Sequence, residues 1–187
     1  MRAVPASRYF AFLTIAGLGC AIDLATKTWI FDWLGMPGDR PSYWLWNEVF
    51  GFTTSLNKGA LFGIGQGKTP LFAVLSVAAA AGILYWLFMS GAAHDWLLTI
   101  ALGCVTAGIF GNLYDRLGFP GLMIGGEKQL AVRDWLHFKV DGWIDWPIFN
   151  IADSLLVCGA ALLVWHAFRA EEPKPLPAAR STAVDSS

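Results

Sequence analysis

Four stretches of the chain, about residues 9–29, 70–89, 96–114 and 148–168, are apolar over lengths that suit membrane-spanning helices. Crossing roughly 30 Å of hydrocarbon at 1.5 Å per residue takes about 20 mostly apolar residues. The second stretch carries no charge. The first holds Asp23 and Lys27 toward its end, the third runs into Asp115-Arg116, and the fourth has Asp153 near its start. Residues 30–69 join the first two spans and residues 115–147 join the last two, whereas only residues 90–95 separate the second from the third. Both long connections therefore emerge on one side, with both termini and the short loop on the other.

Trp29, Trp33, Trp44, Trp46, Trp135, Trp143 and Trp146 lie in or beside the long connections. That is the place of an interfacial aromatic belt. Residues 49–64 interrupt Phe, Thr and Leu with glycines and predict short strands on the membrane surface. From Glu171 the sequence is polar and rich in Pro, Ala and Ser, a composition expected to stay disordered. The expectation is one all-α integral membrane domain over residues 1–170, with four transmembrane helices, followed by a disordered tail at 171–187.

Composition sharpens this picture. The chain is 56% hydrophobic and 14% charged, where a soluble domain carries about 25% charged residues. A net charge of −1 without a basic stripe argues against a nucleic-acid partner. Cys20, Cys104 and Cys158 sit inside apolar runs with no metal-ligand spacing and are expected to pack as small apolar residues. Orientation is not fixed by charge. If both termini are cytoplasmic, Arg2, Arg8, Arg169, Lys174 and Arg180 lie inside and the other eight of 13 Lys and Arg lie outside, which the positive-inside rule does not favour. The first span also has features of a lipoprotein signal peptide: a charged start, an apolar core and Gly17-Leu-Gly-Cys20. Against that reading, Gly17 stands where a branched aliphatic residue is wanted, and the helical pattern continues to Trp29.

Ionisable groups at membrane depth cost several kcal/mol unless paired or hydrated. A single aspartate near a span end is most simply an interfacial charge. Asp23, Asp115, Asp134 and Asp153, together with Asn112, Asn150 and Arg116, all fall toward one side, and that gathering suggests a site. Two adjacent carboxylates cannot both ionise, so the pair shares a proton. The ionised member can deprotonate water while the protonated one hydrogen-bonds a scissile carbonyl, the arrangement of aspartic proteases. His94, His137 and His166 are dispersed, with no serine or cysteine spaced to serve them, and no zinc motif occurs. No metal or cofactor is expected. A small transporter or channel would also account for intramembrane carboxylates, although the chain is short and lacks an internal repeat.

Five motifs in order carry a closer likeness: Asp23-Leu-Ala-Thr-Lys27; Asn57-Lys-Gly-Ala60 followed by Phe62-Gly63; Gly111-Asn-Leu-Tyr-Asp-Arg116; Val132-Arg-Asp-Trp135; and Phe149-Asn-Ile-Ala-Asp-Ser154. Placed against the four spans, they resemble the lipoprotein signal peptidase (signal peptidase II) family over about residues 10–168. The resemblance implies a bacterial inner-membrane enzyme with cytoplasmic termini, a small extracytoplasmic β-cradle and a mobile segment over the active site. It implies cleavage of lipid-modified prolipoproteins just before the diacylglyceryl cysteine, by a single chain. Asp134 and Asp153 map onto the catalytic pair, with Asn112 and Asn150 beside them and Arg116 near the substrate. Asp23, Lys27, Asn57, Gly111, Asp115 and Ala152 match supporting positions, and Asp115 is expected to turn toward backbone or a basic partner such as Lys27 or Arg116. The sequence departs from the family at residues 118–130, which are extra, at Trp135 in place of phenylalanine, and at Arg133 in place of an aliphatic residue. Asp141 and Asp145 stand nearby as competing acids, without the valine-containing motif. Residues 118–130, with four glycines and a proline, read as a surface loop.

Overall fold

A computed structural model describes residues 3–46, 49–59, 65–140 and 142–170. The expected tail, residues 171–187, lies outside the described residues. Four helices are long and apolar enough to cross a membrane: α1 (Ala6–Leu34), α2 (Thr69–Leu84, extended by a π-helical turn, Tyr85–Met89), α3 (Trp96–Arg116) and α4 (Ile151–Ala170). Residues 43–46, 50–57, 123–124, 127–128, 132–140 and 144–145 form β1 to β6. Strands β1, β2, β5 and β6 make one antiparallel sheet in that order, and β3 with β4 makes a separate hairpin.

Three boundaries differ from expectation for physical reasons. Helix α1 continues past Trp29 to Leu34, because Ile30, Phe31 and Leu34 pack with Trp135 and Leu136 of β5 in one buried cluster. Asp23 and Lys27 are therefore interior to the helix and completely buried, not terminal interfacial charges. Helix α4 starts at Ile151, after Pro147 and an extended Phe149 that bridges Leu136. The 118–130 segment is not a plain loop: it holds the β3–β4 hairpin. The strands anticipated within residues 49–64 are present as β2 (Phe50–Asn57), while residues 60–64 lie outside the described set.

Helix α3 is central. Of its apolar stretch 67% is buried inside the protein, against 17% for α1 and 11% for α2 and α4. Close approach to its neighbours depends on small residues, as expected where no water drives helices together. A Cβ on Gly108 would lie 2.5 Å from the Ala152 carbonyl oxygen and 2.6 Å from Leu156. At the end away from the sheet, the Arg8 guanidinium stacks 3.5 Å over Trp96 and donates to the Ala93 carbonyl, tying α1 to the start of α3.

The glycine contacts give opposite expectations for two alanine substitutions. Gly108→Ala should destabilise the detergent-solubilised protein by about 1–3 kcal/mol through overpacking. Gly17→Ala, with open space around its Cβ, should be neutral or stabilising by up to about 1 kcal/mol from helix propensity. Thermal melts of the two variants check the ordering.

Candidate active site

The start of α4 is organised by its own sequence. Asn150 stands before the first helical residue, and its side-chain Oδ1 accepts from the Asp153 backbone N–H at 2.9 Å. The Asp153 carboxylate reaches back to the Asn150 backbone N–H at 3.3 Å. This reciprocal pair is a capping box, satisfying two N–H groups that a helix start leaves without partners. Because Asn150 Oδ1 is an acceptor there, its Nδ2 must donate outward. It donates to Asp134 Oδ1 at 2.6 Å and to Asn112 Oδ1 at 3.2 Å. Asn150 thus touches both Asp134 and Asp153.

Asp134 arrives from the sheet. Side chains alternate along β5, so Arg133 and Trp135 face the α1 side while Asp134 faces the head of α4. Across the ladder Ser55 pairs with Asp134 and Asn57 with Val132, which brings Asn57 diagonally beside Asp134. The Asn57 Oδ1 accepts from the Gly59 N–H at 2.9 Å, and its side chain hydrogen-bonds Asp134. Burial, with the Asp153 charge adding to it, pushes the Asp134 carboxyl up to about 8 against opposing contributions from Asn150, Lys27 and Asn57. A carboxyl that holds its proton near neutral pH, next to a second carboxyl, is the electrostatic requirement of a shared-proton pair.

Below this pair lies a buried ionic cluster. Lys27 Nζ reaches Asp23 Oδ2 at 2.7 Å, Asn112 Oδ1 at 2.9 Å and Asp115 Oδ2 at 3.3 Å. Three acceptors match the three donors of an ammonium. The other Asp23 oxygen accepts the Ala152 N–H of α4 at 2.8 Å. Gly111 sits against Asp23 so tightly that a Cβ would collide with the carboxylate. With its carbonyl oxygen occupied by Lys27 and Asn150, Asn112 turns its Nδ2 to Asp153 Oδ1 at 2.8 Å. Every amide in the group is therefore oriented by its neighbours.

Asp115 does not face Asp153. It accepts from Lys27 and from Arg133, whose Nε, Nη2 and backbone N lie at 3.1, 3.0 and 2.9 Å. The expectation of a backbone or basic partner holds through Lys27 and the Arg133 N–H, but Arg116 is not that partner. Its Nη2 donates to the Gly59 carbonyl at 3.2 Å, and the guanidinium lies 5.6 Å from the Phe72 ring centre. Arg133 was legible only as a departure from the family pattern, and its role as the second cation on Asp115 was missed. The signal available was a charge in a strand whose next residue must be buried. Of the competing acids, Asp145 pairs with His137 at 2.9 Å on the exposed side of the sheet, and Asp141 lies outside the described residues.

A cleft of about 530 Å³ opens between α3 and α4 beside the pair. Its polar end is Asn112, Arg116 and Asp153, and Val105, Leu156, Val157, Ala160 and Leu163 form its apolar walls. Among the described residues no three His, Cys, Asp or Glu side chains converge as a metal-ligand set.

Four apolar helices, closed at one end by a sheet that delivers a carboxyl to a helix start, define a membrane enzyme. A solved bacterial membrane enzyme structure superposes with a TM-score of 0.71 at 25% identity, over 89% of this chain and 94% of that one. The chain belongs to the signal peptidase II family, a family of peptidases: the family model described as "Signal peptidase (SPase) II" matches residues 15–169. It is 50% identical over 169 residues to a lipoprotein signal peptidase of Rhodopirellula baltica, across 89% of this chain and 75% of that one. It is 30% identical to one from Psychromonas ingrahamii across 88% of each chain.

The ionic cluster generates a ranked expectation. Lys27→Met would leave Asp23 and Asp115 buried with a shared cation removed, a loss of about 3–5 kcal/mol. Arg133→Met should cost less, because Asp115 keeps Lys27. Denaturant titrations in detergent measure the order, and equal losses would show that Arg133 carries as much of the cluster as Lys27.

Proposed function

We propose that this chain is an aspartic endopeptidase that removes signal peptides from diacylglyceryl-modified bacterial prolipoproteins, hydrolysing the bond before the lipidated cysteine. Asp134 and Asp153 are the water-activating pair. The observation that carries this reading is Asn150, which donates to Asp134 through its side chain and to Asp153 through its backbone. One residue thereby fixes the separation of two carboxyls.

Asp134, protonated, hydrogen-bonds the scissile carbonyl. Asp153 lies in the first turn of α4, where the helix dipole attracts negative charge, and accepts from Asn112 and Asn150. It takes a proton from water as the hydroxide attacks the carbonyl carbon. Collapse of the tetrahedral intermediate breaks the C–N bond, and the proton on Asp153 passes to the leaving amine. The cleft between α3 and α4 suits this substrate, since an apolar signal segment along Leu156, Ala160 and Leu163 would present its cleavage point at Asn112, Arg116 and Asp153. Arg116 is placed to meet a peptide carbonyl or a lipid phosphate. The reading places the pair on the extracytoplasmic side of the inner membrane, in a chain that works as a monomer.

Asp134→Asn or Asp153→Asn should remove nearly all cleavage of a lipidated lipobox peptide while the protein still purifies folded. Turnover like that of the unaltered enzyme in either variant overturns the pair.

The Asp134 carboxyl also sets two pH dependences. Activity should fall as pH rises through about 8, where the Asp134 proton is lost. Its carboxyl is raised from 3.8 to about 8 on folding, so the unfolded chain releases this proton first. Stability should therefore fall with rising pH between those values and level off above them. Asp134→Asn, which mimics the neutral acid, should not show this loss. Parallel melts of the two proteins across that range test the assignment.

A further inference from the structure

Residues 117–130 take no part in the site, yet they are unusually apolar for a connection. Met123–Ile124 pairs with Glu127–Lys128 around Gly125 and Gly126, whose φ angles of 59° and 83° are those of a tight hairpin turn. Gln129 N–H donates to the Leu122 carbonyl at 2.8 Å and closes the base. No other described strand pairs with this hairpin. A lone two-stranded hairpin is marginal in water. This one nevertheless exposes Leu117, Phe119, Met123, Ile124 and Leu130. Met123 and Ile124 are consecutive, so both faces of the strand are apolar and uncovered.

The position of Phe119 shows what covers them. Its ring lies 5.2 Å from that of Tyr114, and its N–H donates to the Tyr114 carbonyl at 3.3 Å. After Ile100, Phe110 and Tyr114 are the exposed residues of α3. With Leu117 they are spaced four and three apart, which makes one stripe along the helix. In a spanning helix otherwise enclosed by protein, that stripe is its lipid-facing surface. Phe119 continues the stripe into the hairpin. The cleft residues Val105, Asn112 and Arg116 lie about 150° around the helix from it at 100° per residue. The cleft and the stripe of Phe110, Tyr114 and Leu117 are therefore on different sides of α3. The charged residues of the hairpin, Glu127 and Lys128, sit on its second strand and are exposed.

We infer that the 117–130 hairpin is a lipid-inserted anchor. Phe119, Met123 and Ile124 enter the hydrocarbon of the leaflet where α3 ends, and Glu127 and Lys128 lie at headgroup level. The anchor is separate from the catalytic pair and extends the hold of α3 on that leaflet.

Collision-reagent accessibility tests it on the full chain in phosphatidylcholine–phosphatidylglycerol nanodiscs. Single cysteines replace Phe119, Met123 or Glu127 in a chain whose Cys20, Cys104 and Cys158 are alanine, and each is spin-labelled. The ratio of oxygen to nickel-chelate accessibility should be several-fold higher at positions 119 and 123 than at 127. Equal ratios at all three positions would put the hairpin in water and overturn the inference. Low accessibility to both reagents at 119 and 123 would show a protein surface over them and overturn it equally. Met123→Trp keeps the native cysteines and gives a second reading. Its added fluorescence should be quenched by lipids brominated on the acyl chains, and an unquenched increment would count against insertion.

Discussion

A buried ammonium that must find three acceptors organises this molecule. Lys27 is fully buried in α1 and draws Asp23 from its own helix, Asn112 and Asp115 from α3. Asp23 passes the constraint to α4 through the Ala152 N–H, and Asp115 passes it to β5 through Arg133. Two carboxylates and two cations in this cluster balance in charge, which is what makes their burial tolerable. The balanced cluster adds a charged tie to the apolar packing of β5 on α1, beneath the Asn150 bridge that relates the carboxyl of β5 to that of α4.

Preorganisation at the upper carboxyl pair follows from amide chemistry. Asparagine has one accepting and one donating end, so occupying the oxygen commits the nitrogen. The Asn57 oxygen is held by a backbone N–H, the Asn112 oxygen by Lys27 and Asn150, and the Asn150 oxygen by the Asp153 N–H. The three nitrogens are left for Asp134 and Asp153. Orienting the donors in advance lowers the reorganisation that a developing charge would otherwise demand.

Much of this was legible in the sequence where one strong constraint acts. The bilayer sets a minimum apolar length, and the four spans were readable within a few residues. The Asn-x-x-Asp spacing at 150 and 153 was read only as a family motif; it is also a capping signal, and it marks the helix start that the apolar pattern put at residue 148. Hydropathy misled where packing replaced lipid: Asp32 makes the end of α1 look polar, although Ile30, Phe31 and Leu34 continue the helix against β5. Lys27 was among the expected partners of Asp115, but the second cation on it was out of reach for a different reason. Arg133 and Arg116 are both nearby in sequence terms, and only the strand's alternation decides which guanidinium turns inward.

The spacing of Asp23 and Lys27 has a consequence for how the chain enters the membrane. Their later partners Asn112, Asp115 and Ala152 are synthesised 85 or more residues afterwards. Each charge alone would oppose insertion of α1 by about 2.5–3.5 kcal/mol. Four residues apart they lie one helical turn from each other, so the nascent helix can carry them into the bilayer as a self-neutralised pair. Assembly then completes a pair made for transit, as α3 brings acceptors to Lys27 and α4 brings a donor to Asp23.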